Sequence, residues 1–300
     1  MKKKHLWLAA IIAITPLFGA CNEAPDGGDG DNGGNETPVN PDDPDNPVLP
    51  ENNFPKTIIG AIEVKDYKGD KVTETSRISF TYNDNGLLRE MKVTGSENAS
   101  CNIRYNNGLV EYDYFEEGKQ TYYCSLTLQN GLGVRGTILD HTEKESEKES
   151  LTYGYDDSKH LIQTAVKEDK EPSVITDLKW RADNLSSCTW LDGDILREDE
   201  FRYSPLSLYN KFNLDLNWLL IDTDGCDAAA GDPMRIFPMC RMTGKSSILL
   251  VETARYYDDD TDSYKGMRFE YKNLNGEILV IMRYNDDNVL DREYTVTFLE

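Results

Sequence analysis

From Phe54 onward the chain alternates apolar and polar positions in short runs. Ile78, Phe80 and Tyr82 share one face, and Arg77, Ser79 and Thr81 share the other. Val110, Tyr112 and Tyr114 oppose Glu111 and Asp113. Tyr122, Cys124, Leu126 and Leu128 oppose Thr121, Tyr123, Ser125 and Thr127. Near the end Leu290, Tyr294, Val296 and Phe298 align, with Arg292 interrupting. A period of two marks half-buried antiparallel strands. Between the runs one phrase recurs: Tyr82-Asn83-Asp84-Asn85-Gly86-Leu87, Tyr105-Asn106-Asn107-Gly108-Leu109, Leu128-Gln129-Asn130-Gly131-Leu132, and related forms at Tyr155, Trp180, Tyr271 and Tyr284. Asn and Gly tolerate the positive φ of tight hairpin turns, so each phrase predicts a chain reversal. The count is about 16 strands in an antiparallel meander, an all-β fold long enough to close into a barrel or wrap as a sheet.

The rhythm breaks at about 204–245. Pro205 opens this segment, Leu214 to Leu220 has helical spacing at Leu216, Leu219 and Leu220, and an irregular Asp/Gly/Pro stretch follows. A long insertion in a meander suits a plug, a cap or a binding loop.

Two N-terminal segments fall outside the alternation. Met1 to Lys4 is basic and Leu6 to Phe18 is mostly apolar, the layout of a secretion signal over residues 1–20. The apolar run is too short for a membrane span, which needs about 20 residues. Leu17-Phe18-Gly19-Ala20-Cys21 resembles the lipobox of a bacterial lipoprotein signal, which implies lipidation of Cys21 and outer-membrane anchoring on the cell surface or the periplasmic face. An ordinary secretory signal with a nearby cysteine is the alternative. Residues 21–53 hold six of the twelve prolines, nine acidic residues and no Lys or Arg. Such a segment buries too little apolar surface to offset chain entropy and reads as a flexible tether, spanning about 30 Å on average. Its acidic start, Glu23 and Asp26 to Asp31, resembles the export signal of Bacteroidetes surface lipoproteins. A plain solvated linker is the competing reading.

The formal net charge is −22. That excludes nucleic acid as a partner, because phosphate recognition needs a positive surface. The cysteines after Cys21 are Cys101, Cys124, Cys188, Cys226 and Cys240, an odd number at spacings that match no zinc pattern. Cys226 and Cys240 flank the irregular stretch and are the best candidate disulfide. Cys101 and Cys124 fall on alternate strands, out of bonding reach.

The hairpin phrases resemble the tyrosine–aspartate repeats of the Rhs type. Residues 54–300 resemble a Bacteroidetes lipoprotein family of unknown function with a porin-like fold, through Tyr82 to Gly86, Asn213-Leu214-Asp215-Leu216-Asn217 and the strand entry at Gly244 to Val251. That family has no assigned catalytic residues, so the resemblance supplies none. A porin-like strand pattern suits water as well as lipid. Arg197 and Asp199 interrupt the apolar run from Ile195 to Phe201, and a charge facing lipid at mid-membrane costs about 2–4 kcal/mol.

No catalytic motif is present: the chain lacks a nucleophile elbow, a zinc-protease helix, a Walker loop and a dinucleotide fingerprint. His141 and His160 lie beside turns and read as exposed. Asp258, Asp259, Asp260 and Asp262 crowd a hairpin tip and would suit calcium or, as an ordinary loop, water. Asp222, Asp224 and Asp227 form a second cluster. Glu143 to Glu149 reads as an exposed loop or helical turn. Trp180, Trp190 and Trp218 could stack on sugar rings or simply pack in a core. The expectation is a non-catalytic binding or accessory module of the envelope, for a glycan or peptide, with no cofactor beyond the lipid. A structural protein that partners another envelope component is the alternative, and an enzyme ranks last.

Overall fold

The computed structural model describes residues 57–299 except 97, 143–146, 169–172, 193, 205–207, 259–260 and 275–276. The signal, the tether and Cys21 therefore lie outside the described residues. Twelve strands come first: β1 (Ile58–Lys68), β2 (Lys71–Tyr82), β3 (Leu88–Gly95), β4 (Ala99–Asn106), β5 (Leu109–Glu116), β6 (Lys119–Gln129), β7 (Leu132–Asp140), β8 (Glu147–Tyr155), β9 (Leu161–Glu168), β10 (Val174–Arg181), β11 (Asn184–Asp192) and β12 (Ile195–Arg202). Three short helices follow, α1 (Asn217–Leu220), α2 (Asp224–Ala230) and α3 (Ile236–Met239). The chain then returns to β13 (Thr253–Asp258), β14 (Ser263–Leu274), β15 (Ile278–Tyr284) and β16 (Leu290–Leu299). Each strand pairs antiparallel with its chain neighbours, and β1 pairs with β16 to close the barrel.

The alternating pattern sets which way the side chains point. Ile78 is paired with Ile62 and Val93, Tyr112 with Ile103 and Cys124, and Ile281 with Tyr271 and Tyr294. These rows face the interior and join one hydrophobic core. The opposite rows are polar. Arg77, Lys92, Arg104, Arg135, Lys148, Lys179 and Glu270 are exposed on the outer wall. Arg197 and Asp199 are not part of that outer row. Their register partners are Trp190 and Cys188, and all four turn inward. The charges that break the β12 pattern therefore belong to the interior, and other residues make the outer wall polar.

Alternating strand direction puts Thr57, the insertion and the turns after β2, β4, β6, β8, β10 and β14 at one rim, the entry rim. At this rim Asn107-Gly108 and Asn130-Gly131 take positive φ at both central positions (47° and 76°, 52° and 74°), the conformation that Asn-Gly hairpins favour. The recurrent aromatic just before the turn has a specific partner. Tyr82 Oη donates to the Ile59 carbonyl at 2.6 Å, Tyr105 to Leu88 at 2.9 Å and Tyr155 to Gly133 at 2.7 Å. Trp180 Nε1 donates to Leu161 at 2.7 Å, and Tyr271 Oη donates to Val251. Each aromatic thus ties the end of its strand to the start of the preceding one, or to the residues just before it. In five phrases a β-bulge precedes this position, between Thr81 and Tyr82, Thr127 and Leu128, Gly154 and Tyr155, Lys179 and Trp180, and Arg283 and Tyr284, which re-aims the side chain. Leu128 has the bulge but no donor. The phrase at Tyr284 lies at the far rim and hooks nothing of this kind.

The insertion is longer than its composition suggests. It runs from 203 to 252, and Gly244 to Val251 is irregular apart from one bridge between Tyr209 and Leu249. Residues 147–149 likewise are not loop or helix but the start of β8.

Candidate functional site: the plugged interior

A 16-stranded barrel is too wide for side chains from opposite walls to meet. Here the insertion fills it. Leu214, Leu216, Leu220, Ile221, Ala229, Ala230, Ile236, Phe237 and Met242 are all buried within the wall's core. The motif Asn213 to Asn217 shows how the plug is fixed, because its residues alternate in role. Leu214 and Leu216 pack, while Asn213, Asp215 and Asn217 bind backbone. Asn213 Oδ1 accepts from Ile59 N at 2.9 Å. Asn217 donates to the Leu249 carbonyl and accepts from Val251 N, both at 2.9 Å. Asp215 Oδ1 accepts from Asn217 N at 3.1 Å and from Asn210 Nδ2 at 2.6 Å. Burial pushes the Asp215 carboxyl up, and the nearby Arg241 guanidinium opposes that.

Two more buried carboxylates join plug to wall. Asp199 of β12 accepts from Gly225 N at 3.1 Å. Gly225 has to be glycine, since a Cβ there would lie 2.3 Å from Asp199 Oδ2 and 2.5 Å from Trp190 Cζ3. Asp232 accepts from Tyr112 Oη of β5 at 3.0 Å and from Ile236 N and Phe237 N at 2.7 and 3.2 Å, so it caps α3, whose first N–H groups lack intrahelical partners. Burial pushes both carboxyls up to about 7. Wall hydroxyls cap the C-terminal end of α2: Thr164 Oγ1 donates to the Ala229 carbonyl at 2.8 Å and Tyr153 Oη to Ala230 at 3.3 Å. Arg235 holds the plug to itself, donating to the Ile221 carbonyl at 2.5 Å and to Asp227 at 2.6 Å.

A small cavity remains near the entry rim, lined by Trp180, Trp218, Tyr203, Asp215, Asn217 and Ser247 among others. The space open to the centre of a water molecule is only about 10 Å³, about one water's worth.

The three tryptophans form no exposed platform. Trp180 and Trp218 meet at this cavity, while Trp190 lies against Gly225 of α2. They are packing residues because the plug supplies the surface they cover. His160 also departs from expectation. It is buried, stacked on Trp180 with ring centroids 4.6 Å apart, with Asp156 and Asp183 each 3.0 Å from a ring nitrogen. Its neighbours come from two consecutive turns of the entry rim, a proximity that no local sequence window displays.

All five described cysteines are free thiols, and the fold does not bring Cys226 and Cys240, the expected pair, together. Cys226 opens α2, which packs on β9 to β13, whereas Cys240 follows α3 and lies toward Tyr82, Cys101 and Tyr105. The plug separates them by folding back on itself. Of the proposed calcium ligands, Asp258 is paired with Lys265 at 2.7 Å and accepts from Thr261, and Asp262 accepts from Tyr257 Oη. Asp259 and Asp260 lie outside the described residues. Among the described residues no three His, Cys, Asp or Glu side chains converge as a metal site would need. Asp222 and Asp227 are engaged by Arg235.

The barrel has known structural counterparts. It superposes on the crystal structure of a porin-like protein from Bacteroides uniformis with a TM-score of 0.55 at 12% identity, covering 80% of this chain and 97% of that one. A porin-like protein from Bacteroides vulgatus gives 0.54 at 13% identity, covering 81% and 99%. No protein-family model matches the chain, and no curated protein sequence matches it. At this identity the likeness establishes the fold: a porin-like, closed, 16-stranded antiparallel barrel with a short helical insertion.

Proposed function

We propose that the chain is a lipid-anchored protein of the bacterial outer membrane whose barrel stands in water as a closed, non-catalytic interaction module and conducts nothing. The observation that supports this most directly is the inversion of faces: charges line the outer wall and a packed plug fills the apolar interior. A lipid-facing wall would carry the opposite arrangement. In this reading the lipid on Cys21 and the tether of residues 22–53 are the membrane contact, and the entry rim faces the membrane because Thr57 is there.

The outer wall favours a protein partner over a glycan. Leu191 and Leu196 are register partners on the outer face of β11 and β12, exposed at 55% and 66%. Ile175 on β10 lies beside them, since its neighbour Thr176 pairs with Trp190, and it is exposed as well. This flat apolar group sits toward the far rim, away from the tether. Contiguous exposed apolar surface of this kind marks interaction sites. The test has two arms. Cys21→Ala should leave the protein unacylated and move it from the membrane fraction to the soluble one; membrane retention would sink the anchoring. In cells, the double change Leu191→Asp with Leu196→Asp should remove envelope crosslinks while the purified barrel keeps its Tm. An unchanged crosslink pattern would sink the interaction surface.

A further inference from the structure

The structure brings together two thiols that the sequence keeps apart. Cys188 lies on the inner face of β11, directly opposite Asp199 in register. Asp199 accepts from Gly225 N, and Cys226 follows in the first turn of α2, its N–H bound to Thr223 Oγ1 at 3.3 Å. The close approach of Gly225 to Asp199 and Trp190 leaves this turn no freedom to withdraw from the wall. The Cys188 and Cys226 thiols are within hydrogen-bonding reach of each other, and both are buried. The remaining thiols lie elsewhere: Cys101 and Cys124 project inward from β4 and β6, and Cys240 lies on their side of the plug.

We infer that Cys188 and Cys226 form a disulfide that bolts α2 of the plug to strand β11 of the wall. The oxidant is a disulfide-bearing molecule, such as oxidised glutathione. The Cys188 thiolate attacks one of its sulfurs and expels a glutathione thiolate. The Cys226 thiolate then attacks the Cys188 sulfur of the mixed disulfide and expels the second glutathione thiolate. Two protein thiols are oxidised to one disulfide, the glutathione disulfide is reduced, and the two protons that leave the protein thiols end on the two glutathione thiols. Burial pushes the Cys188 thiol well up, so its thiolate is scarce once the barrel is shut. The bond therefore forms as the plug docks, not afterwards. An envelope location would supply the oxidant, but the chemistry can be tested without it.

The full chain is unfolded with reductant, then refolded in a glutathione redox buffer, alkylated in denaturant and digested without reduction. The expected product is one cross-linked peptide pair joining Cys188 to Cys226, with Cys101, Cys124 and Cys240 alkylated. Oxidised protein should melt about 5–15 °C above the same protein refolded with reductant, as expected for a loop of this size. Cys188→Ser should leave Cys226 alkylated and abolish that difference, and Cys240→Ser should change neither result. Recovery of Cys188 and Cys226 both alkylated from folded, oxidant-treated protein overturns the inference, as does a bond from Cys226 to Cys240. Neither outcome depends on where the protein resides, so the anchoring proposal can fail separately.

Discussion

The wall and the plug of this barrel are held by different kinds of interaction. The wall repeats one local rule from strand to strand, interrupted only by the insertion: alternate, turn, restart. Its strands pair with chain neighbours, and its turns carry their own instructions in Asn and Gly. The plug has almost no repeating rule. Its three helices are four to seven residues long, too short to hold alone, and distant strands supply the groups that fix α2 and the Asp232 cap of α3. Tyr112 is 120 positions from Asp232, and Thr164 is 65 from Ala229. A fold can thus be regular where contacts are local and irregular where they are not, and the irregular part decides what the regular part can do.

Mutations can measure that difference. The largest effect should come from the plug's centre. Phe237 is fully buried and meets Tyr112 edge-on at 5.3 Å, so Phe237→Ala should destabilise the protein by about 3–5 kcal/mol in denaturant titration. If the loss is under 1 kcal/mol, the wall does not need its plug. Gly225→Ala should cost about 1–3 kcal/mol, because the added methyl meets Asp199 and Trp190; a neutral result would mean that α2 is free to shift.

The buried carboxyls predict an unusual pH response. Asp199 and Asp232 have folded values of about 7, above the value near 4 expected in the unfolded chain. The native state therefore binds the extra protons. Their contribution to stability is complete below about pH 4 and is lost as pH rises through about 7. Stability should fall by roughly 2 kcal/mol per carboxyl between pH 5 and 8, and Asp232→Asn should flatten part of that slope. A protein that grows more stable over this range would show that these groups ionise freely. At the wall the effects should be small. Tyr105→Phe removes one hook and should cost about 1 kcal/mol. Arg104→Ala breaks an exposed pair with Asp113 and should stay within about 0.5 kcal/mol.

The same division explains how much of the molecule could be read from its sequence. Ile78, Phe80 and Tyr82 announce both their strand and their inner face, because both depend on the next two residues. The hairpin phrases announce their turns, though not that Tyr82, Tyr105 and Tyr155 would hook the preceding strand. The spacing of Leu216, Leu219 and Leu220 announces α1. Nothing local announces that His160 would be buried between Asp156 and Asp183, or that Trp190 would lie against a glycine 35 positions on. Cys226 was matched to Cys240 by nearness in the chain, whereas its actual neighbour comes from β11, on the far side of β12. The insertion's extent was similarly hidden, since Gly244 to Val251 is apolar enough to resemble a strand and instead wedges between Asn184, Leu208 and Asn217.

The seam between β1 and β16 has a consequence for biogenesis. Ile59 pairs with Phe298 and Val64 with Tyr294, so the cylinder is stitched shut by the first and last strands of the fold. No partial chain can close it. Until the final strand arrives, β1 keeps an open edge and the inward rows of Ile, Leu and Tyr remain wet. Such long-range closure is slow, and an open edge invites pairing with other chains. The vulnerable moment of this protein is therefore the interval between the folding of its hairpins and the arrival of its last ten residues.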